Sequence, residues 1–451
     1  MPPHTPPDPD ALNILTDLIG RARRAGADAA DAVLFEGTSI AHSQRLGKVE
    51  KLERSEGYDL GLRVFCGKKQ AIVSSNDRSA GALNELVERA LTMARAVPED
   101  PFAGIAEPGQ IARSWPDLDS ADPEEPAASV LIERARIAEE TARAVPGVTN
   151  SEGAEASWGR SIVALAASNG FAGSYVSSGH SVSVSVLAGE GLKMERDYEF
   201  ASAVHAADLK DPAWIGRSAG ERAVKRLGAR KVPTQQCTVV YDPRVSRGLI
   251  SHMLGAIAGP SIARGTSFLK DKLGKLVFAP GIRIVEDPHR PRGLRSKPFD
   301  GEGIANRRRA LIEDGVLTTW LLDLRSARQL GLETTGHASR GTSSPPSPSA
   351  TNLWLEPGAV TPKELISDIA SGFYVNEMMG MGINGVTGDY SRGAAGFWIE
   401  NGELAYPVSG VTVAGNLIDM YARLVPANDL EFKTGLDAPT VRMDGLTVAG
   451  A

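Results

Sequence analysis

Residues 380 to 398 read GMGINGVTGDYSRGAAGFW, and Gly380, Gly382 and Gly385 fit the spacing G-x-G-x-x-G. In a dinucleotide-binding turn such glycines let backbone N–H groups close on a pyrophosphate. That turn needs a strand before it and a helix after it, within a βαβ unit. Here VTGDYSRGAAG follows, with further glycines and no helical stripe, and then a strand and a hairpin. The context argues against a nucleotide site. The glycines read instead as tight turns and bulges needing positive φ, or as backbone lying close to a peptide or a partner.

Metal chemistry needs clustered donors. The seven histidines are His4, His42, His180, His205, His252, His289 and His337, and the closest two are 25 residues apart. No H-x-x-x-H or H-E-x-x-H pair can set two ligands on one helical turn. Neither cysteine, Cys66 or Cys237, adjoins a histidine. Only a site assembled from distant residues stays open. No G-x-x-x-x-G-K-[ST] phosphate loop occurs, and no G-x-S-x-G nucleophile elbow is expected. Asp389 and Glu400 could act as an acid/base pair; alternatively Asp389 supports a turn and Glu400 sits on a hairpin. Ser391-Arg392 offers a fork-like contact for a carboxylate, although a surface arginine reads the same way.

These residues belong to a chain of 451 residues, long enough for two domains. Hydrophobic residues make up 42% and charged residues 23%, the balance of a globular protein. Glycine (48) and proline (28) are frequent enough to imply many turns and short strands. The net charge of −6 supplies no basic field for a phosphate backbone, so no nucleic-acid partner is expected. Two cysteines far apart make a disulfide framework improbable and fit a reducing cytoplasm. The N-terminal MPPHTPPDPD has neither a basic region nor an apolar run, so it does not read as a secretory signal. No apolar run is long enough to span a membrane. The expected location is cytoplasmic.

Along the chain, Leu12, Leu15, Leu18, Ile19 and Ala22 form one helical face, with Gly26 placed to end the helix. A strand is expected around Val33 to Ile40, and YDLGLRVFCGKKQAIVSS reads as a hairpin. Leu83, Leu86, Val87, Ala90, Leu91 and Ala94 make a second helical stripe. Residues 97 to 127, rich in Pro, Asp and Glu, read as a surface excursion. A helix near 128 to 145 precedes several strands, including one with Val182, Val184 and Val186 on one face. After a helix near 212 to 228, GARKVPTQQ marks a boundary. Beyond it come a strand to Tyr241, a helix opened by Asp242-Pro243, and a hairpin at Asp314-Gly315. A short helix is expected near 323 to 330, and residues 341 to 350 read as a flexible loop. Thr361, Pro362 and Glu364 form a capping box, and Asn401-Gly402 turns a last hairpin. The expected class is α+β, with an N-terminal mixed α/β domain over 1–229 and a β-rich C-terminal domain over 230–451.

The stretch TGDYSRGAAGFWIENGELAYPVSGVTVAGNL, residues 387 to 417, closely resembles the C-terminal signature of the PmbA/TldE family, once described as modulators of DNA gyrase. GLISHMLGAIAG (248 to 259), TSFLKDKLGK (266 to 275) and PFDGEGIANRRRALIEDGVLTTWLLDLRSARQLGLETTGHA (298 to 338) agree in order, as does EGYDLGLRVFCGKKQA near the N-terminus. The resemblance covers nearly the whole chain. It implies one half of a TldD–TldE-like zinc metalloprotease that cleaves unfolded or extended peptides in a chamber at the subunit interface. The active relative carries H-E-x-x-x-H on a helix, with a later cysteine completing the zinc site.

At the matching helix this sequence places Ser251 at the first ligand, His252 at the general base and Ala256 at the second ligand, and no cysteine follows Cys237. Serine and alanine do not hold zinc as imidazole does, and a base without a metal-bound water has nothing to activate. PmbA-type chains share this loss. The resemblance therefore implies no catalytic or metal residues and no cofactor on this chain, with zinc on a TldD-type partner. It also implies a heterodimer, or a homodimer when the chain is isolated. Gly388, Asp389, Tyr390, Ser391, Arg392 and Gly393 are the expected chamber loop. Three rival readings are a stand-alone hydrolase using distant ligands such as His252 or His337, a homodimeric scaffold, and direct binding of gyrase or nucleic acid. The acidic balance opposes the last.

Overall fold

The computed structural model describes residues 9–450. The Pro-rich N-terminus through Asp8, and His4 within it, lie outside the described residues. The first half runs α1 (Pro9–Arg24), β1 (Ala29–Arg45), β2 (Lys48–Cys66), β3 (Lys69–Ser75), α2 (Ala80–Ala96), α3 (Ala128–Arg143), β4 (Val148–Ala167), β5 (Ala172–Ala188), β6 (Glu195–Ala203) and α4 (Pro212–Lys225). The strands form one antiparallel sheet in the order β3-β2-β1-β4-β5-β6. Strand period decides which face meets what. Ala30, Ala32 and Leu34 of β1 pack under α1 and α2, and Trp158 and Val182–Val186 pack under α3 and α4. Val33 and Leu165 point to the opposite face and meet Ile111, Phe299 and Ile304 from outside the sheet.

The second half contains β7 (Gln235–Tyr241), α5 (Pro243–Ala256), α6 (Gly259–Ala263), β8 (Ile284–Glu286), β9 (Arg309–Glu313), β10 (Val316–Leu317) and α7 (Leu324–Leu330). It continues with β11 (Ala338–Ser339), β12 (Ser347–Pro348), β13 (Leu353–Leu355), α8 (Pro362–Ile366), β14 (Ser371–Met379) and β15 (Asp389–Glu400). The last elements are β16 (Glu403–Asn416), α9 (Leu417–Ala422), β17 (Val425–Pro426), β18 (Leu436–Asp437) and β19 (Val441–Ala449). One sheet runs β16-β15-β14-β7-β19-β17, and β16 pairs again with β19, so five of its strands close on themselves. A second sheet runs β10-β9-β8-β13-β18. A single core holding Tyr241, Met253, Phe278, Phe373 and Tyr421 joins both. The α+β class with a β-rich second half is what the structure has.

Turn chemistry explains the hairpins. Asp314 and Asn401 take positive φ (48° and 50°) ahead of Gly315 and Gly402, as two-residue turns require. The capping box at Thr361 is present, with its hydroxyl 3.2 Å from the Glu364 N–H and the Glu364 carboxylate 2.8 Å from the Thr361 N–H.

Three expectations are corrected. Residues 97 to 127 are not a bare excursion: Ala106, Ile111 and Ala112 are buried, and Trp115 meets Phe299 edge-on at 4.8 Å. Residues 341 to 350 hold a fixed path, because the Thr342 backbone lies against β2; a Cβ at Gly61 would stand 2.2 Å from its carbonyl oxygen. The strand expected from Val33 begins at Ala29 and runs to Arg45, and β2 returns from Lys48 through a turn at Leu46 and Gly47 (φ 52° and 76°).

Candidate functional site

Helix α5 starts where Asp242 accepts the Arg244 N–H at 2.9 Å and Pro243 takes the first helical position. Its Leu249, Ile250, Met253 and Ala256 face the core, while Ser251 is exposed and His252 half-buried. The three zinc-helix positions therefore sit on one helix. Their side chains are a hydroxyl in solvent, an imidazole and a methyl group. The Ala256 carbonyl accepts the Ser267 hydroxyl at 2.6 Å.

The His252 ring meets Tyr390 of β15 edge-on, with centroids 6.2 Å apart. Its Nε2 is buried without a hydrogen-bond partner. Burial first, and the nearby Arg392 charge second, push the imidazole down to about 4. At neutral pH it is an uncharged ring, with the Arg392 guanidinium as the charge beside it. Burial raises the Tyr390 hydroxyl to about 12 and that of Tyr241 well above its ordinary value. The Tyr241 hydroxyl is also buried with no hydrogen bond, and the Tyr421 hydroxyl donates to the Leu249 carbonyl at 2.8 Å. Sequence reading missed Tyr241 and Tyr421. The position of Tyr241 directly before the Asp242-Pro243 helix start was the available signal. Among the described residues no group of three His, Cys, Asp or Glu is placed to hold a metal ion. A serine, a neutral histidine and an alanine are a poor donor set for zinc.

The proposed chamber loop is mostly strand. Only Gly388 is loop, with φ 82°; Asp389 to Gly393 open β15 and pair with Thr412 to Asn416 of β16. The alternation of exposed Asp389 and Ser391 with buried Tyr390 is the strand signal that the run of glycines obscured. Asp389 accepts Thr387 Oγ1 at 2.6 Å and Asn416 Nδ2 at 3.1 Å, and these bonds, Thr387 foremost, hold its carboxyl below the usual range. Arg392 Nε donates to the Gly380 carbonyl at 3.0 Å. A methyl at Gly248 of α5 would meet the Arg392 guanidinium at 3.9 Å, so this arginine ties strand to loop and lies beside the helix. Asp389 and Glu400 stand at opposite ends of a 12-residue strand, more than about 30 Å apart at the rise of extended chain. They are no acid/base pair.

The glycine triplet has a structural reason. The Ser391 N–H donates to the Gly382 carbonyl at 2.7 Å, and a Cβ on Gly382 would fall 1.8 Å from the Ser391 oxygen. Gly380 takes φ 77°. No helix follows the glycines. Met381 and Val386 of this loop are exposed by 92% and 55%, an apolar surface beside Arg392.

Two other spacings are settled by position. Against the expectation of no such spacing, Gly216-Arg217-Ser218-Ala219-Gly220 matches the G-x-S-x-G of a nucleophile elbow, but it lies inside α4 with no strand-to-helix turn. Its glycines let α4 press on α3, since a Cβ at Gly216 would stand 2.2 Å from the Ala138 oxygen. His337 is buried, with Nδ1 on the Thr335 hydroxyl at 2.7 Å and Nε2 on Glu286 at 2.5 Å, so both nitrogens are spoken for.

Family models of the PmbA/TldA metallopeptidases match as domain 1 over 30–94, as the central domain over 121–227 and as the C-terminal domain over 234–450. The chain belongs to this family. The Metalloprotease PmbA of Escherichia coli O157:H7 is 38% identical over 427 residues, covering 94% of this chain and 93% of that one. A Haemophilus influenzae homologue of PmbA is 35% identical over 434 residues, covering 95% and 94%. Among solved structures, a Bacteroides thetaiotaomicron protein named as a modulator of DNA gyrase superposes with a TM-score of 0.91 at 27% identity, covering 98% of this chain and 100% of that one. TldE from Thermococcus kodakarensis shares the fold, with a TM-score of 0.87 at 20% identity over 97% and 100%. In this PmbA/TldA member no helix among the described residues is long and apolar enough to cross a membrane.

Proposed function

We propose that this chain is the non-catalytic, TldE-type subunit of a zinc metalloprotease that acts on unfolded or extended peptides in the cytoplasm. It covers the chamber of a TldD-type partner, which holds the zinc, and helps align the substrate. The observation that carries the reading is what α5 presents: exposed Ser251, neutral His252 against Tyr390, and the Ala256 methyl. In this reading they occupy the positions that the resemblance gives to the first ligand, base and second ligand of the active relative. Family membership and the TldE-like fold support a protease subunit. The exposed Met381 and Val386 beside β15 support an interaction surface there.

In this reading Gly388 to Gly393 line the shared chamber. The Asp389–Thr387–Asn416 bonds hold the strand start, and Arg392 ties it to the loop beside α5. Backbone pairing with an extended peptide beside this loop is the expected mode of substrate contact. The test combines metal analysis with two variants. The purified chain is expected to carry far less than stoichiometric zinc, and Asp389→Ala with Arg392→Ala to lower partner-dependent cleavage by more than the loss of folded chain, read from the melting temperature, accounts for. Stoichiometric zinc on the chain alone, or unchanged cleavage by the double variant, would remove the respective part of the proposal.

A further inference from the structure

A cavity of about 370 Å³ lies where β6 and α4 meet the start of α5 and the segment 429 to 440. That is a common size for a small-molecule site. Its lining carries acids as well as bases, so what matters is which groups remain free.

The acids are engaged. Glu199, 2% exposed, accepts Arg222 at 2.5 Å, the Ser218 hydroxyl at 3.2 Å and the Phe200 N–H at 3.1 Å. Asp242 accepts the Arg244 N–H and the Tyr374 hydroxyl, at 2.9 and 2.8 Å. Asp429 takes the N–H and hydroxyl of Thr440 at 2.9 and 2.7 Å, and Asp437 takes the N–H groups of Lys433, Thr434 and Gly435 at 3.0 to 3.1 Å. Glu431 pairs with Lys210.

The bases divide. Arg222 is held by Glu199, and Lys433 lies between Glu199 (3.9 Å) and Glu431 (3.5 Å). Arg244 binds Asp197 at 2.8 Å and lies over the Tyr198 ring at 4.3 Å. Arg247 differs. Its Nε reaches only the Arg244 carbonyl at 3.3 Å, and its guanidinium makes no ion pair among the described residues. The edge strand β6 supplies the wall. Its N–H groups at Tyr198 and Phe200 are closed by the Asp197 and Glu199 carboxylates at 2.7 and 3.1 Å, which leaves them unavailable to an added strand. The Tyr198 and Phe200 rings stack, with centroids 6.4 Å apart and an interplanar angle of 18°.

We infer that this cavity binds a small organic carboxylate with a flat apolar body. Arg247 takes the carboxylate through paired N–H groups, and the body lies against Tyr198 and Phe200. The same chemistry is offered by a free aromatic acid and by the C-terminal residue of a peptide. The inference does not rest on a protease role, because binding is read on the chain alone.

The experiment is calorimetric titration of the full chain with N-acetyl-L-phenylalanine, with phenylacetate, and with N-acetyl-L-phenylalaninamide as the uncharged control. Saturable binding of either acid, with the amide at least about tenfold weaker, is the expected result, since a charge-assisted bond is lost. Preference for the first acid assigns a peptide terminus, and preference for the second a free acid. Arg247→Gln is expected to weaken the acid by about tenfold or more without a change in melting temperature. Phe200→Ala, expected to weaken acid and amide alike, keeps the test open if Arg247→Gln fails to fold. Equal affinity for acid and amide, or no binding of either acid below about 10 mM, overturns the inference.

Discussion

At the junction of the two halves, Asp31 of β1 takes Arg63 of β2 at 3.0 Å and Arg340 at 2.6 Å, with Glu302 3.7 Å from Arg63, all buried. Under α5, His252, Tyr241 and Tyr390 are also shielded, yet no carboxylate joins them. The first centre is made of paired ions and the second of neutral polar rings beside a single guanidinium, that of Arg392. Burial alone would raise the Asp31 carboxyl, but Arg340 and Arg63 hold it below its ordinary value. In the second centre burial is unopposed, and the imidazole discharges. The contrast teaches where this fold uses charge. Buried charge ties the N-terminal sheet to the segment 300 to 340, and no carboxylate faces His252 on α5.

The largest expected effect breaks the charged centre. Asp31→Ala strands the buried Arg340 guanidinium, whose Nε and Nη2 are already unpaired, and leaves Arg63 with only Glu302 at 3.7 Å. A loss of roughly 3–5 kcal/mol is expected from denaturant unfolding. Retention of wild-type stability would mean that the junction is not held by this pair.

Gly382→Ala addresses the strand beside the neutral centre. With the new Cβ 1.8 Å from the Ser391 oxygen, the bridge from loop to β15 must open. About 1–3 kcal/mol of destabilisation is expected, with faster amide exchange confined to residues 380–393. Unchanged exchange there would show that the loop yields freely.

The pH response sharpens the difference. The folded His252 titrates at about 4 against an ordinary 6.5, so below 6.5 the unfolded chain binds a proton that the folded chain refuses. Stability from this group is full above pH 6.5 and is lost as pH falls toward 4. The ring is partly open to solvent, so the loss is of order 1 kcal/mol. His252→Phe is expected to lack that component, and parallel pH profiles for the two proteins would refute it. Glu302 has the opposite sign. Burial holds its carboxyl above the ordinary value against the opposing charge of Arg63, with Asp300 adding to the rise, so its contribution weakens as pH climbs.

The smallest effect is at Asp389. It is exposed and bonded only to Thr387 and Asn416, so Asp389→Ala is expected to change stability by less than about 0.5 kcal/mol. A larger drop by thermal unfolding would make it a structural residue and weaken its assignment to a chamber.

What the sequence made legible follows the same division. Elements with a period or a turn dipeptide were readable: all six stripe residues from Leu83 to Ala94 are buried on α2, and Asn401-Gly402 turns the β15–β16 hairpin. The β1–β2 hairpin was not, because KVEKLERSEG is charged on both faces and a free strand edge needs no alternation. Asp31, Arg63, Glu302 and Arg340 look like surface residues in the chain; only tertiary pairing buries them, and no local spacing reports it. At the candidate site the glycine triplet reads as tight turns, and Gly382 does pack on Ser391, while the strand start at Asp389 was read as loop because glycine hides the period. Tyr241 and Tyr421, separated by most of the second half of the chain, meet only in the fold.

The most direct measurement is cleavage of an unfolded peptide by the chain alone and by its mixture with a TldD-type subunit, each with and without a metal chelator. The account predicts cleavage only in the mixture, abolished by the chelator. Chelator-sensitive cleavage by the chain alone would contradict it, and His252 would then be the first residue to replace.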